Sequence, residues 1–413
     1  MNAIDRSSGI ASKIGFIGTY LPRRCGIATF TYDLAEAVAR IVKDEQSVVV
    51  AALNDRDGGY AYPHRVKCQI CCETRDDYTV AADYLNANCG VVCLQHEFGI
   101  FGGTCGENVL GLISKLRVPL VVTCHTVAPQ PDIDHKHVFR KIVSRADKLV
   151  VMNRLAIPIL KEVYGATTRQ IVYIRHGIHD VPYADPPYRK KAFGILGTVL
   201  LTFGLLHRNK GIEIAIEAMA EIVRAKSDTT YVIAGQTHPA IVREEGESYR
   251  YELQQLVDNL EIGNHVVFID QFFDLPSLIT YLRETDIFVA PYLTMGHMTS
   301  GALSYAAGAG NAVVATPFLH ARELLANDRG IIVPPANASA LADAVIGLLG
   351  NTAAMEAMRR RMYAHTRNMV WPEVAREYLD VFNALDPLGR DQLIVPRWPV
   401  VDAPAHRDLI TPS

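Results

Sequence analysis

Short apolar runs alternate with segments of helical periodicity along most of the chain. Such runs are typical of the buried strands of a parallel sheet, and the segments between them of the helices that cover it. In the first half we predict six strands, at 13–20, 47–54, 90–98, 119–127, 148–153 and 170–177. The pattern then restarts and predicts six more, at 198–206, 230–235, 265–270, 286–292, 311–317 and 330–335.

A polar, proline-bearing stretch at 182–197 separates the two sets of strands. We therefore predict an α/β protein of two doubly wound, Rossmann-like parallel-sheet domains that face each other across a cleft. The predicted domains are residues 1–185 and 186–370, followed at 371–413 by a helix that packs back on the body and a loose tail. Ligands should bind in the cleft, where strand carboxyl ends and helix N-termini converge.

Composition narrows the class of protein. Of the 413 residues, 49% are hydrophobic and 21% charged, which is ordinary for a globular protein, and the net charge of −3 gives no field for gripping nucleic acid. Neither a secretory signal nor an apolar stretch of about 20 residues occurs, so we expect a cytoplasmic location. The basic run 359–361 is best interpreted as a solvated helix face.

The cysteines raise the question of a metal. All eight lie in the first 124 residues, and we predict free thiols buried in apolar runs. A zinc site is an alternative, but strand geometry would point its ligands in alternating directions; its members would be Cys68, Cys71, Cys89 and Cys93. Asp132 and Asp134 form a D-x-D pair that a polar surface loop explains more simply than a metal-diphosphate site. We therefore predict no metal.

Several common enzyme motifs are missing. The chain lacks the G-x-S-x-G elbow, the P-loop and the H-E-x-x-H helix, which excludes the corresponding hydrolase, ATPase and metallopeptidase classes. The glycines near the first strand stand at 15, 18 and 26 and do not form the G-x-G-x-x-G dinucleotide fingerprint.

The turn after the first strand of the second domain carries the strongest local signal. In FGLLHRNKGIEIAIEAM, residues 203–219, Arg208 and Lys210 precede a helix start and Gly211 lets the backbone approach a ligand. Two cations and a helix N-terminus suit a phosphate group. A solvated basic turn is the alternative.

Histidines follow several predicted strands of the first domain: His96, His125, His176 and His179. Strand carboxyl ends are where an open α/β sheet binds ligands, and His125 is the best candidate among them.

The start of a second predicted helix is another candidate site for an anion. No acidic residue occurs between Asp286 and Glu323, and a helix should begin near Thr299, Ser300 and Gly301. Its exposed N–H groups would attract a phosphate, whereas the alternative is a buried helix that Ser300 merely caps.

Five segments, taken in order, are similar to the family-4 retaining glycosyltransferases of the GT-B fold: PRRCGIATFTYDLAEA, GLLHRNKGIE, AGQTHP, TDIFVAPY and GNAVVATP. The resemblance covers about 13 to 384. It implies a GT-B fold and transfer of a hexose, such as mannose or glucose, from a nucleotide-diphosphate sugar to a saccharide or other hydroxyl acceptor. It implies no metal or other cofactor. Membrane association occurs in the family, but we find no basic amphipathic helix that supports it here.

The resemblance also implies roles for individual residues. Lys210 matches the lysine that holds the diphosphate, Arg208 substitutes for an arginine replaced by Leu205, and His125 matches the histidine that reaches the transferred sugar. The donor-binding positions are Gly204, Gly211, Gln271, His297, Thr299, Ser300, Gly301 and Tyr305. The acceptor-side positions are Arg24, Gly26, His96 and Glu97.

One departure from the family pattern concerns its Glu-x7-Glu pair. In this alignment His297 and Tyr305 stand at the two glutamate positions, which is typical of a divergent subgroup. Two alternatives therefore stay open: a retaining glycoside phosphorylase on the same fold, and a catalytically silent protein that binds a sugar nucleotide.

Overall fold

The computed structural model describes residues 13–183, 194–195 and 197–386. The predicted boundary at 185/186 and the predicted loose tail from Pro387 onward lie outside these residues. Among the described residues, two all-parallel sheets form, of seven and six strands. The predicted doubly wound α/β architecture is thereby confirmed.

The first sheet has the strand order β3-β2-β1-β4-β5-β6-β7. Its strands are β1 (Lys13–Gly18), β2 (Val48–Asn54), β3 (Val66–Cys71), β4 (Cys89–His96), β5 (Leu120–Cys124), β6 (Lys148–Val151) and β7 (Ile171–Tyr173). The second sheet has the order β10-β9-β8-β11-β12-β13. Its strands are β8 (Thr198–Phe203), β9 (Thr229–Ala234), β10 (Val266–Ile269), β11 (Ile287–Ala290), β12 (Ala312–Ala315) and β13 (Ile331–Ile332).

Strand β3 is the one that the hydrophobic pattern misses. It lies at the edge of the first sheet and pairs only with β2. Its sequence, VKCQIC, is exposed or half-buried at all but one position, so it lacks the continuous apolar run by which the central strands are recognised. A search for continuous apolar runs therefore does not detect a half-exposed edge strand.

Helices cover both faces of each sheet, as the alternating pattern predicts. Those of the first domain are α1 (Gly26–Val42), α2 (Arg75–Asn88), α3 (Val109–Lys115), α4 (Ile133–Arg145) and α5 (Ala156–Tyr164). Those that follow β8 are α6 (Ile212–Ala225), α7 (Pro239–Glu245), α8 (Ser248–Asn259), α9 (Leu275–Glu284), α10 (Gly301–Gly308), α11 (Leu319–Leu324), α12 (Ala338–Gly350), α13 (Thr352–Thr366) and α14 (Trp371–Leu385). No single helix in the described ranges is long and apolar enough to cross a bilayer, although α12 and the segment Thr352–Met369 together meet the length and composition test across a 100° bend.

Helix α14 returns to the first domain and packs against α1. Phe382 lies edge-on to Phe16 of β1, with ring centroids 6.1 Å apart. The Tyr378 hydroxyl lies 3.0 Å from Oγ1 of Thr123 on β5. The last described helix is thus part of the first domain's core.

The strand orders fix where a ligand can bind. In each sheet the order reverses beside the first strand, between β1 and β4 and between β8 and β11. At such a switch point the loops that leave neighbouring strands diverge to opposite faces and open a crevice at the strand carboxyl ends. His96 ends β4 and Lys210 follows β8, two of the strands that flank these crevices, and His125 follows β5, the neighbour of β4.

The cysteines, all of which are among the described residues, are free thiols. Three are buried in the first domain, Cys89, Cys93 and Cys124, and five are half-buried, so the predicted burial is only partial. Strand β3 carries Cys68 and Cys71 and β4 carries Cys89 and Cys93.

Candidate active site

Lys210 lies at the crevice of the second sheet. Its ammonium donates to the Tyr292 hydroxyl at 3.2 Å and lies 4.8 Å from the centre of that ring, just beyond β11. Among the described residues, no carboxylate comes within 4 Å of it, so its charge has no anionic partner in this part of the chain. An uncompensated, half-buried cation at a switch point is suited to bind an anion.

Two glycines allow this turn to form. Gly204 ends β8 with φ +113°, and a Cβ there would stand 3.3 Å from Lys210 Nζ, in the space above the strand end. Gly211 has φ +60°, and a Cβ there would stand 2.2 Å from the Pro291 carbonyl oxygen. A side chain at Gly211 would therefore separate the turn from the neighbouring strand.

Arg208 faces away from Lys210. Its guanidinium forms ion pairs with Glu245 at 3.0 Å and Glu252 at 2.6 Å, on α7 and α8, and its Cζ lies 5.0 Å from the centre of the Tyr249 ring. These carboxylates raise its pKa further, chiefly through their hydrogen bonds. The structure therefore does not bring Arg208 together with Lys210 as the predicted cation pair.

The start of α10 lies next to Tyr292. Ser300 caps the helix by accepting from the Leu303 N–H at 3.2 Å, and its Oγ lies 3.3 Å from the Tyr292 hydroxyl. Lys210, Tyr292 and Ser300 thus form a continuous polar line from the turn to the helix. Ser300 performs the capping role that the alternative interpretation assigned to it, and the helix start still points at the crevice.

His320 supports this helix start from behind. The Ser300 N–H donates to its Nδ1 at 2.8 Å, which places the ring proton on Nε2. Burial lowers the pKa of His320 to about 3, so the ring is neutral at physiological pH. Nearby, the Thr299 hydroxyl is buried with no hydrogen-bond partner among the described residues.

The remaining donor-side positions differ in exposure. His297 is exposed and its ring lies edge-on to Tyr292 and Phe318, with centroids 5.6 and 5.9 Å away. Gln271 is also exposed, after β10. A Cβ on Gly301 would lie 3.4 Å from His176 Nε2, so the first domain reaches the start of α10 through that histidine.

Tyr305 connects the two domains. Its hydroxyl donates to Asp33 of α1 at 3.2 Å, and the same carboxylate oxygen lies 3.1 Å from His179 Nε2. The predicted donor-binding hydroxyl is thus engaged by the first domain. Burial and the Asp33 charge raise the pKa of Tyr305, which keeps the hydroxyl protonated as a donor.

His125 follows β5 on the first-domain side. It is 8% exposed, and Phe30 lies edge-on to it with centroids 4.7 Å apart. Its Nε2 donates to Gln95 Oε1 at 3.0 Å, which leaves Nδ1 as the acceptor. Burial, with His176 and His96 as smaller causes, lowers its pKa to about 3, so it stays neutral.

His96 proves to be a packing residue. It is 1% exposed, stacked on Phe139 and edge-on to Phe98, with both ring centroids 4.8 Å away. Burial lowers its pKa to about 3, and its Nδ1 has no hydrogen-bond partner among the described residues. The predicted acceptor-side role of His96 does not agree with this position, because the side chain lies inside the core.

Glu97 and Arg24 shape the loops of the first domain. Glu97 accepts from the Thr126 hydroxyl at 2.5 Å, which ties the ends of β4 and β5 together beside His125. Arg24 donates across the cleft to Gln236 Oε1 at 3.3 Å. Gly26 begins α1, and a Cβ there would meet nothing within 4 Å, so the space in front of it is open.

Sequence reasoning missed Tyr292, His320 and Gln95. Tyr292 follows β11 at the switch point, and its place at the end of an apolar strand was an available signal. His320 and Gln95 act by orienting other groups and carry no local pattern.

One cluster of possible metal ligands occurs in the described part of the chain, formed by Cys105, Asp132 and His135, whose ligand atoms lie within 4.8 Å of one another. Asp132 caps α4 and accepts from His135 Nδ1 at 2.7 Å, so hydrogen bonding already accounts for this contact. Asp134 does not belong to this cluster.

Comparison with known proteins finds a family match over part of the chain and two similar relatives. Residues 197–351 match the family "Glycosyl transferases group 1". The chain is 24% identical over 275 residues to a phosphatidyl-myo-inositol mannosyltransferase of Mycolicibacterium smegmatis, an alignment that covers 66% of each protein. It is 26% identical over 196 residues to the enzyme of that name from Mycobacterium leprae, covering 47% of this chain and 48% of the relative.

Solved structures agree over most of the chain. Sucrose-phosphate synthase from Thermosynechococcus elongatus superposes with a TM-score of 0.75 at 16% identity, covering 91% of this chain and all of the other. The Anabaena protein HepE in complex with UDP gives a TM-score of 0.70 at 15% identity, covering 90% and 100%.

These similarities define a protein of the GT-B fold, with two Rossmann-like domains around a central cleft. Within that fold, the group 1 sequence match falls on the domain that contains Lys210.

Proposed function

We propose that this protein transfers a hexose from a nucleotide-diphosphate sugar to a saccharide or other hydroxyl acceptor with retention of anomeric configuration. The observation that carries the proposal is the polar line of Lys210, Tyr292 and Ser300 at the switch point of the second domain. It offers an unpaired cation, hydroxyl groups and a helix start to one anion, which suits the diphosphate of a donor.

The chemistry that this line supports is electrostatic. As the anomeric bond breaks, negative charge grows on the leaving diphosphate, and fixed donors stabilise that charge more than they stabilise the bound donor. Lys210 would supply the positive charge and the start of α10 the N–H groups. The departing phosphate oxygen would accept the proton of the incoming hydroxyl, so no enzymatic nucleophile is required.

His125 would act on the sugar. Its neutral ring is oriented by Gln95 and held by Phe30, so Nδ1 can accept from a sugar hydroxyl without adding charge to the site. This division assigns leaving-group stabilisation to the second domain and sugar positioning to the first.

We also propose that no metal is needed, because Lys210 and backbone N–H groups would neutralise the diphosphate. Turnover should be unchanged by excess EDTA. A loss that Mg²⁺ or Mn²⁺ restores would contradict this part of the proposal.

The test is a donor panel scored by nucleotide release. GDP-mannose comes first because the curated relatives are mannosyltransferases, and UDP-glucose second because HepE is described in complex with it. Release that requires an acceptor and is lost in Lys210→Ala would support the proposal, and NMR of the product's anomeric proton would decide retention. Absence of release with every UDP-, GDP- and ADP-sugar would contradict it.

A retaining glycoside phosphorylase is the second candidate. Tyr305 stands at the second glutamate position of the family, and its hydroxyl donates to Asp33. The glutamate side chain expected to contact the ribose of a nucleotide sugar is therefore missing at this position. Inorganic phosphate would then occupy the Lys210 site. Incubation with phosphate and disaccharides, with sugar phosphate as the measured product, distinguishes the two. Nucleotide-induced thermal stabilisation without any product would instead favour a silent binding protein.

A further inference from the structure

A half-open pocket lies between the domains, and Lys210 is not among its lining residues. This cavity of about 210 Å³, here called the hinge pocket, adjoins the segment by which the chain crosses from β7 to β8. The lining residues that matter for its chemistry are Arg154, Tyr173, Arg175, Glu323, Arg329 and His365. Neither Lys210 nor Tyr292 contributes to it.

The charges of the hinge pocket do not balance. Its lining contains three guanidinium groups and one carboxylate, Glu323. That carboxylate accepts mainly from neutral donors, the Arg154 backbone N–H at 2.6 Å and the Tyr173 hydroxyl at 3.0 Å, while the Arg154 guanidinium is 3.9 Å away.

The other two arginines lack a carboxylate within 4 Å among the described residues. Arg329 donates to the carbonyl oxygens of Leu324 at 2.8 Å and Glu323 at 3.2 Å. Arg175 lies beside Tyr173, with its Cζ 5.6 Å from the ring centre, and interacts at longer range with Glu377, which does not line the cavity. Even with Glu377 counted, cations outnumber anions.

His365 lies close enough to all three arginines to be affected by their positive charges. Burial lowers its pKa, and Arg329, Arg175 and Arg154 lower it further, so its imidazole is neutral at physiological pH and adds hydrogen-bonding capacity without charge. Arg175 and Arg329 are half-buried, and like charges held partly out of water are costly unless an anion compensates them.

We propose that the hinge pocket binds a phosphate group, carried by inorganic phosphate or by a small phosphomonoester. Planar guanidinium groups match the tetrahedral oxygens of phosphate through paired hydrogen bonds. The volume lies below the roughly 300–1,000 Å³ typical of pockets for larger ligands, which favours a small one.

The hinge pocket draws its cations from both domains: Arg154 and Arg175 follow β6 and β7, whereas Arg329 precedes β13. A bound phosphate would therefore join the domains. Two further lining residues, His176 and His320, also contact the start of α10, so the occupied pocket would be linked to the proposed donor site through these rings.

The test is a calorimetric titration of the intact protein with inorganic phosphate at constant ionic strength. Arg175→Gln should weaken binding about tenfold or more, since one charge-assisted contact is lost. Arg154→Gln should act in the same direction and guards against a folding defect of the first variant. Arg322→Gln, an exposed arginine on α11 outside the lining, is the matched control and should bind like wild type.

Lys210→Ala separates this proposal from the proposed transferase function. It should leave phosphate affinity at the hinge pocket unchanged while it weakens UDP binding. If wild type fails to bind phosphate or its esters, or if Lys210→Ala abolishes phosphate binding and Arg175→Gln does not, the proposal is wrong. Titrations with glycerol phosphate and glucose 6-phosphate identify the source of the phosphate group, because the natural carrier should bind more tightly than inorganic phosphate.

Discussion

In the second domain, a lysine, two hydroxyl groups and a helix start face the cleft, whereas in the first domain neutral histidines held by aromatic rings do so. Among the residues that the structure describes, the Lys210 ammonium donates to the Tyr292 hydroxyl and pairs with no carboxylate, while His125 is fixed by Gln95 and Phe30 and kept uncharged by burial. The second domain therefore offers an unpaired positive charge to a ligand, whereas the first domain offers an uncharged, rigidly held side chain. The difference predicts that the two halves fail in different ways when they are mutated.

The largest effect should come from the charged half. Lys210→Ala should lower turnover by about 10²–10³-fold, the cost of losing one electrostatic donor to developing charge. Thermal stability should change little, because a half-buried lysine without an ion pair contributes little to folding. The measurement is the steady-state rate with the donor found in the panel, alongside a melting curve.

Arg208→Ala is the matched control in the same turn. Because Glu245 and Glu252 already occupy its guanidinium, its turnover should stay within a few-fold of wild type. If Arg208→Ala and Lys210→Ala lose turnover equally, Arg208 also belongs to the site and the two cations do not differ in function.

The neutral half should show a smaller loss that spares nucleotide binding. His125→Ala should lower turnover by up to about tenfold, because one hydrogen bond to a neutral hydroxyl contributes about 0.5–1.5 kcal/mol. The affinity for free nucleoside diphosphate should be almost unchanged if the histidine faces the sugar, as proposed. Gln95→Met, which removes the oxygen that orients His125, should give a weaker effect in the same direction. Parallel losses of affinity and turnover would relocate His125.

A third variant acts where the halves meet. Gly301→Val places branched carbons between the start of α10 and His176, so donor affinity should fall about tenfold. Gly301→Ala is the control, since a Cβ at 3.4 Å from His176 is an ordinary contact. If affinity is untouched, or if stability falls in step with it, the start of α10 is structural and not part of the donor site.

The last prediction concerns stability in acid and the first domain's histidines, and it leaves activity near neutral pH unaffected. His96 has a pKa of about 3 in the folded protein and about 6.5 when unfolded, so between these values only the unfolded chain binds the proton. Stability should therefore fall as pH drops from 6.5 to 3, by up to about 1.4 kcal/mol per pH unit for this group.

His96→Phe should reduce the acid slope of the unfolding free energy by up to about 1.4 kcal/mol per pH unit, as measured by urea unfolding at several pH values. The rest of the slope should remain, because burial also lowers the pKa values of His125, His176 and His320. The exposed His137, replaced by Gln, is the control and should keep the wild-type slope. An unchanged slope in His96→Phe would mean that the buried ring is not the source of the acid sensitivity.

Much of the fold was predictable because strand and helix periodicities are local properties of the chain. The alternation of apolar runs indicated every central strand of both sheets, and only the half-exposed edge strand β3 escaped it. The turn at Lys210 was predictable for the same reason, since its glycines, its cations and the helix that follows lie within nine residues.

The site was less predictable, because partners far apart in sequence decide what each side chain does. Arg208 and Lys210 look equivalent in the sequence, yet carboxylates 37 and 44 residues away engage one of them and a tyrosine 82 residues away meets the other. Tyr305 finds Asp33 at a separation of 272 residues. His96 and His125 both follow strands, but three phenylalanines enclose the first and only packing reveals it. The sequence by itself thus determined which residues stand at the strand ends, and the tertiary structure decided which of them face the cleft, because burial and charge pairing depend on neighbours that local spacing does not specify.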